Sequence, residues 1–208
     1  NYLADKTNKG VAWWTLGSFF IASGFTIVHL RATPSPSLGL FMIVINNALF
    51  VSGMSCIYVG VLRFFDQDVR RGFLIIFCAV IVLIAVHFSY IDNDLAFRRV
   101  NISIATAVFS FLTARTLFMH RESAFYYTWF LFVIFIIYGI FFTFRSLTPF
   151  AGNVGHLFTP SLIQVSTYLI SIISSTLWTF GFLFLANQHM GIKNKNSGVL
   201  SGNDDNQH

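Results

Sequence analysis

Charge is scarce in this 208-residue chain: Asp, Glu, Lys and Arg together make up 10% of it. Soluble domains carry about 25% charged residues, so there is too little polar surface here to cover a water-soluble fold. Carboxylates are few: Asp5, Asp66, Asp68, Asp92, Asp94, Glu122, Asp204 and Asp205. None falls inside a long apolar run, which argues against a proton-coupled transporter or an intramembrane aspartyl protease, since both need buried acids. Cysteine is limited to Cys56 and Cys78, each within an apolar segment. Two such residues make neither a disulfide framework nor a metal-binding spacing. No HExxH, phosphate-binding glycine loop or nucleophile elbow is present. No basic stripe with interleaved aromatics marks a nucleic-acid surface. These absences leave no catalytic residue, metal site or cofactor to expect, and no nucleic-acid partner.

What fills the chain instead is six apolar stretches, at 11–30, 38–62, 72–91, 100–118, 124–144 and 161–186. A helix of roughly 20–25 residues rises about 30–38 Å, enough to cross the ~30 Å hydrocarbon core of a bilayer. The mean hydropathy is +0.69. The 26 Phe residues fall in continuous runs rather than alternating with polar residues, which favours helices over a lipid-facing β-barrel. The expected fold is an all-α integral membrane protein, a bundle of six transmembrane helices over residues 1–190. A flexible tail is expected over 191–208, where Gly191, Gly198 and Gly202 alternate with Asn, Ser and Asp.

Loop charges give an orientation. Lys6, Lys9, Arg63, Arg70, Arg71, Arg115, Arg121, Lys193 and Lys195 fall on one side, and Arg31, Arg98, Arg99 and Arg145 on the other. The positive-inside rule then puts both ends of the chain in the cytoplasm. Trp13, Trp14, Tyr126, Tyr127 and Trp129 suit the aromatic belt at that interface.

Small residues mark close helix contacts: Ala48, Ser52, Cys56 and Gly60 in the second span, Thr106, Ser110 and Ala114 in the fourth, and Gly17, Ser18, Ala22 and Gly24 in the first. Such faces serve packing within the bundle or a homodimer. Polar groups inside spans usually face the bundle interior. Under the expected topology they collect in the outer half, so the candidate site is an extracytoplasmic ligand pocket lined by Asn46, Asn47, His87, Tyr138, Arg145, Gln164 and Ser171. The competing reading of each is a hydrogen bond between neighbouring helices. The stripe Gln164, Tyr168, Ser171, Ser175 and Trp178 should turn inward, with Leu169, Ile173, Leu177 and Phe184 facing elsewhere.

Three segments carry a resemblance: Gly10-Val-Ala-Trp13-Trp14-Thr-Leu-Gly17; Ile45-Asn46-Asn47 with Gly53 and Tyr58-Val-Gly60-Val-Leu-Arg63-Phe64; and Ser161-Leu-Ile-Gln164 leading to Thr179-Phe-Gly181-Phe-Leu-Phe-Leu-Ala-Asn187-Gln188. Their order over residues 10–190 resembles the bacterial multi-span sensory region found N-terminal to GGDEF diguanylate cyclases and some histidine kinases. The resemblance implies the bacterial inner membrane, a helix before the Trp-Trp segment (seven in the full-length protein) and a last helix feeding a cytoplasmic cyclic di-GMP-synthesising domain. No GGDEF motif or kinase histidine box is present here, so the chain itself is not expected to be an enzyme. The expected function is a membrane input module with an output domain elsewhere in a longer protein. A standalone transporter or channel, and a passive anchor, are the alternatives.

Overall fold

The computed structural model describes residues 2–30, 36–120, 125–151 and 162–204, with side chains at 10–28, 38–120, 126–150 and 165–188. The helices are α1 (Tyr2–Leu30), α2 (Pro36–Phe64), α3 (Arg71–Tyr90), α4 (Leu95–Met119), α5 (Phe125–Leu147) and α6 (Leu162–Asp204), with a 3-10 turn at Thr148–Ala151. No strand occurs among the described residues, and all six helices contain a segment long and apolar enough to cross a membrane. The chain is an all-α, multi-pass membrane bundle.

The side chains identify the solvent. Large apolar groups such as Phe19, Ile75, Leu83, Ile137, Phe144 and Ile172 point outward from α1, α3, α5 and α6. Continuous apolar surface on this scale is tolerated in lipid and not in water. Tight turns close both ends. Asp66 (φ 59°) shapes the α2–α3 turn and Asn93 (φ 45°) the α3–α4 turn, a left-handed conformation that these short polar residues accept. Asp94 then caps α4, its Oδ1 accepting from the Ala96 and Phe97 amides at 2.7 and 3.2 Å. We call the two ends of the bundle the Asp66 end and the Asn93 end.

Helices α1 and α2 form the most extensive pair, α4 and α5 the next; α2 joins α4, and α6 packs on α5. The ring α1–α2–α4–α5–α6 closes through a slight α1–α6 contact, and α3 lies against α2 and α4. The α1–α2 seam is built on glycines seven apart. A Cβ at Gly17 would lie 2.7 Å from the Gly53 carbonyl oxygen, and one at Gly10 would lie 3.2 Å from that of Gly60. A Cβ at Gly24 would meet Phe50 at 3.0 Å. On α2 the seam runs Asn46, Phe50, Gly53, Ile57, Gly60, Phe64, not the fourfold stripe Ala48–Ser52–Cys56–Gly60. Steps of four residues turn a helix by 400°, so such a stripe drifts about 40° per step, whereas alternating steps of four and three stay on one face. These glycine faces, expected as a packing or homodimer surface, are turned to each other within one chain.

Trp14 also departs from expectation. Trp13 is exposed as an interfacial anchor would be, but Trp14 is buried at the seam, where a Cβ on Gly60 would land on its indole. Its ring stacks on Phe182 of α6 at 4.2 Å. Helix α6 runs on to Asp204, through the stretch whose composition predicts a flexible tail. Gly costs about 1 kcal/mol each in a helix but keeps its amide donor, and no proline follows Pro160.

Helix α4 is the polar spine. Ser103, Thr106, Ser110, Thr113 and Thr116 each donate a hydroxyl to the carbonyl four residues back, at 2.6–3.0 Å. These back-bonds satisfy groups that hydrocarbon could not. Asn101 reaches across instead, its Nδ2 donating to the Ile81 carbonyl of α3 at 2.9 Å. Asn101→Leu should destabilise the bundle by about 0.6–1.7 kcal/mol, the range of interhelical hydrogen bonds in membranes, measured by detergent-induced unfolding.

Candidate functional site

A column of rings runs along the α5–α6 interface towards the Asn93 end. Phe135 stacks on Trp178 (5.4 Å, 2°), and Trp178 meets Tyr138 edge-on (5.4 Å, 88°). Tyr138 packs on Phe142 at 4.7 Å, and the Arg145 guanidinium lies 5.4 Å over the Phe142 ring. The spacing Phe135–Tyr138–Phe142–Arg145, three, four and three residues, holds these groups on one face of α5. The inward stripe of α6 supplies the partners. Ser171 and Trp178 are buried, while Leu169, Ile173, Leu177 and Phe184 are exposed.

Two hydrogen bonds pin the column to its neighbours. The Tyr138 hydroxyl and Ser171 Oγ are 3.2 Å apart, joining α5 to α6. Arg145 Nη1 donates to Ser103 Oγ at 2.8 Å, joining α5 to α4, and Ser103 donates onward to the Arg99 carbonyl at 2.6 Å. The structure therefore brings Tyr138 together with Ser171, and ties Arg145 to a partner, Ser103, that sequence reasoning missed. A lone serine among many in α4 gives no signal. Only an antiparallel α4–α5 pair, not readable from hydropathy, places it opposite Arg145.

The other expected residues are dispersed. Asn46 is 6% exposed and faces α1, where a Cβ on Gly24 would lie 3.2 Å from its Oδ1, an oxygen left without a partner. Asn47, also buried, is one step round α2 on the stripe of Val51, Met54 and Tyr58, and Tyr58 packs against Phe109 of α4 at 6.3 Å. His87 does not enter the bundle. Its side chain is 49% exposed and its Nε2 is 3.0 Å from Asp92 Oδ2 at the rim turn. Asp92 is five residues on, just past the helix end, so the pair closes locally. Gln164 opens α6, with its side chain outside the described residues.

Two clefts lie beside the column rather than in it. One, of about 360 Å³, separates α1 from α6 and is lined by Ser18, Ala22, Phe25, Ser175, Trp178 and Thr179 among others. The second, about 450 Å³ at the Asp66 end, is lined by Tyr126, Tyr127, Phe184, Asn187 and Gln188. Neither includes any of the expected site residues. Among the described residues no three His, Cys, Asp or Glu side chains converge. Among the described residues five buried donor groups lack a partner: the indole N–H of Trp14 and of Trp178, the Ser89 hydroxyl, Arg98 Nη1 and Arg145 Nε; the amide oxygens of Asn46 and Gln188 are unpaired as well. Comparison with protein-family models, curated proteins and solved structures finds no match to this chain.

Proposed function

We propose that the chain is the membrane-embedded input module of a bacterial inner-membrane signalling protein. It relays an extracytoplasmic or membrane signal through α6 to a cytoplasmic output, and cyclic di-GMP synthesis is the output proposed. The observation that carries this reading is the unequal hold on α6. It is fastened to α5 by the ring column and the Tyr138–Ser171 bond, whereas its backbone stays farther from α1, which it meets through the Trp14–Phe182 stack beside a cleft. The helix held less firmly on one side is the one proposed to move, and a ligand with different affinity for two packings of it would shift their populations. The cation-rich Asp66 end, with Arg63, Arg70, Arg71 and Arg115, supports placing the far end of α6 in the cytoplasm.

The test uses the full-length protein in bacterial cells. Tyr138→Phe and Ser171→Ala each remove the hydroxyl pair and should shift cellular cyclic di-GMP about threefold to twentyfold, the population change that 0.6–1.7 kcal/mol produces. Unchanged cyclic di-GMP in both variants, at equal membrane abundance, rejects the reading. Solute flux through the purified protein in proteoliposomes would favour a transporter instead. Retained function after exchange for an unrelated anchor would favour a passive one.

A further inference from the structure

We infer that Arg145 is an anion receptor, binding a phosphate or carboxylate group at the Asn93 end of the bundle. This names the ligand class of the proposed site; binding itself does not depend on the signalling reading, although its consequence does.

The direction of the side chain is the first argument. Arg145 is in the last turn of α5, where a long cationic side chain normally snorkels outward to the interface. It turns inward instead, back over Phe142 and down to Ser103. Ser103 is eight residues into α4, so the guanidinium sits about 12 Å below the start of that helix.

The second argument is the lack of a counter-ion. Chain order brings only two acids to this end, Asp92 and Asp94. Asp92 is held by His87, and the Asp94 carboxylate accepts from two amides at the start of α4. The connecting stretches 31–35 and 152–161 contain no Asp or Glu at all. Among the described residues three arginines, Arg98, Arg99 and Arg145, share this end with those two acids. Ser103 fixes the guanidinium but is neutral, and a desolvated cation without an anion is costly.

The third argument is the free edge. The bond to Ser103 uses Nη1, and Nε is buried with no partner. Nη2 makes no hydrogen bond among the described residues. Nε–H and Nη2–H together form the side-on fork that grips two oxygens of a carboxylate or phosphate. The residue as a whole is only partly buried while Nε is fully covered, so an anion that takes both donors must displace the groups packed over Nε. Both a dissolved anion and a lipid headgroup phosphate offer the required oxygens.

The purified full-length protein in nanodiscs distinguishes these sources. In one arm inorganic phosphate and succinate are titrated into phosphatidylcholine discs, with sodium chloride at matched ionic strength as the control for screening. In the other, discs doped with phosphatidylglycerol are compared by native mass spectrometry for retained lipid. The expected result is a saturable rise in Tm with phosphate or succinate, or selective retention of phosphatidylglycerol. Arg145→Gln should weaken either by about 30-fold or more, the loss expected when one partner of a buried charged hydrogen bond is removed. Arg145→Lys keeps the charge but not the fork, should retain part of the binding, and carries the comparison if the glutamine variant is unstable. A wild-type protein with no saturable response in either arm overturns the inference, as does a response that neither variant alters. Anion binding with no effect of Tyr138→Phe on cyclic di-GMP would remove the signalling reading alone. An output sensitive to Tyr138→Phe in a protein that binds no anion would remove this inference alone.

Discussion

Trp178→Ala should destabilise the bundle by about 3–5 kcal/mol, the usual cost of deleting a large buried ring. Trp178 is 1% exposed and touches two other rings, Phe135 face to face and Tyr138 edge-on. Within lipid, removal from water contributes little, so the loss is one of packing: ring contacts vanish and a cavity opens beside the α1–α6 cleft. That cleft already borders Trp178, so α6 has little behind it to collapse into the gap. Trp178→Phe should be far milder, below about 1.5 kcal/mol, because it keeps a ring in place. The indole N–H has no acceptor to lose. Equilibrium unfolding in mixed detergent micelles gives both values. Costs for the two substitutions within 1 kcal/mol of each other would mean that the ring column does not hold α6.

Gly53→Leu should have a comparable effect through the opposite fault, overfilling. A Cβ at Gly53 would lie 2.7 Å from Ile21 Cγ1 and 2.9 Å from the Gly17 carbonyl oxygen, and backbone cannot step aside. Two effects compete. Replacing helical glycine gains about 1 kcal/mol of helix propensity. Forcing a side chain into a closed seam costs about 1–3 kcal/mol for a few methylenes, and more where the obstacle is main chain. The second wins at Gly53, and α1 should part from α2. Gly39 on the same helix has nothing within 4 Å of its Cβ position, so Gly39→Leu should be neutral or slightly stabilising. Equal losses at both positions would show that the seam tolerates a side chain after all.

Much of the architecture was legible because lipid sorts sequences coarsely. A stretch is either apolar for some 20 residues or it is not, and all six expected spans correspond to helices. Charge and hydropathy do not say which helices pair, because lipid-facing and partner-facing surfaces are both apolar. The α1–α2 seam is half visible in the sequence: its glycines mark it, but the fourfold spacing Ala48–Ser52–Cys56–Gly60 drifts off a contact face that needs alternating fours and threes. Trp14 and Trp13 look alike in sequence, and only the facing Gly60 distinguishes a buried indole from an anchor. Tyr138 and Ser171, both expected in the site, lie together in the structure. Depth alone placed His87 beside them, although Asp92 five residues on holds it at the rim. The partner of Arg145 has no sequence signal, because Ser103 lies across a helix pair.

The bond from Asn101 to α3 sets more than an energy. A uniformly apolar stave in lipid has almost no preferred azimuth, since every side it shows its neighbours is equally greasy. Asn101 reads a backbone carbonyl on α3, that of Ile81. Such carbonyls recur every 100° and 1.5 Å, so the amide works like a pawl on a ratchet wheel, choosing one tooth among many. Because the tooth is main chain, the bond does not depend on the identity of the buried Ile81 side chain: Ile81→Leu, which keeps its volume, should leave the setting intact, whereas changing Asn101 loosens rotation and register together.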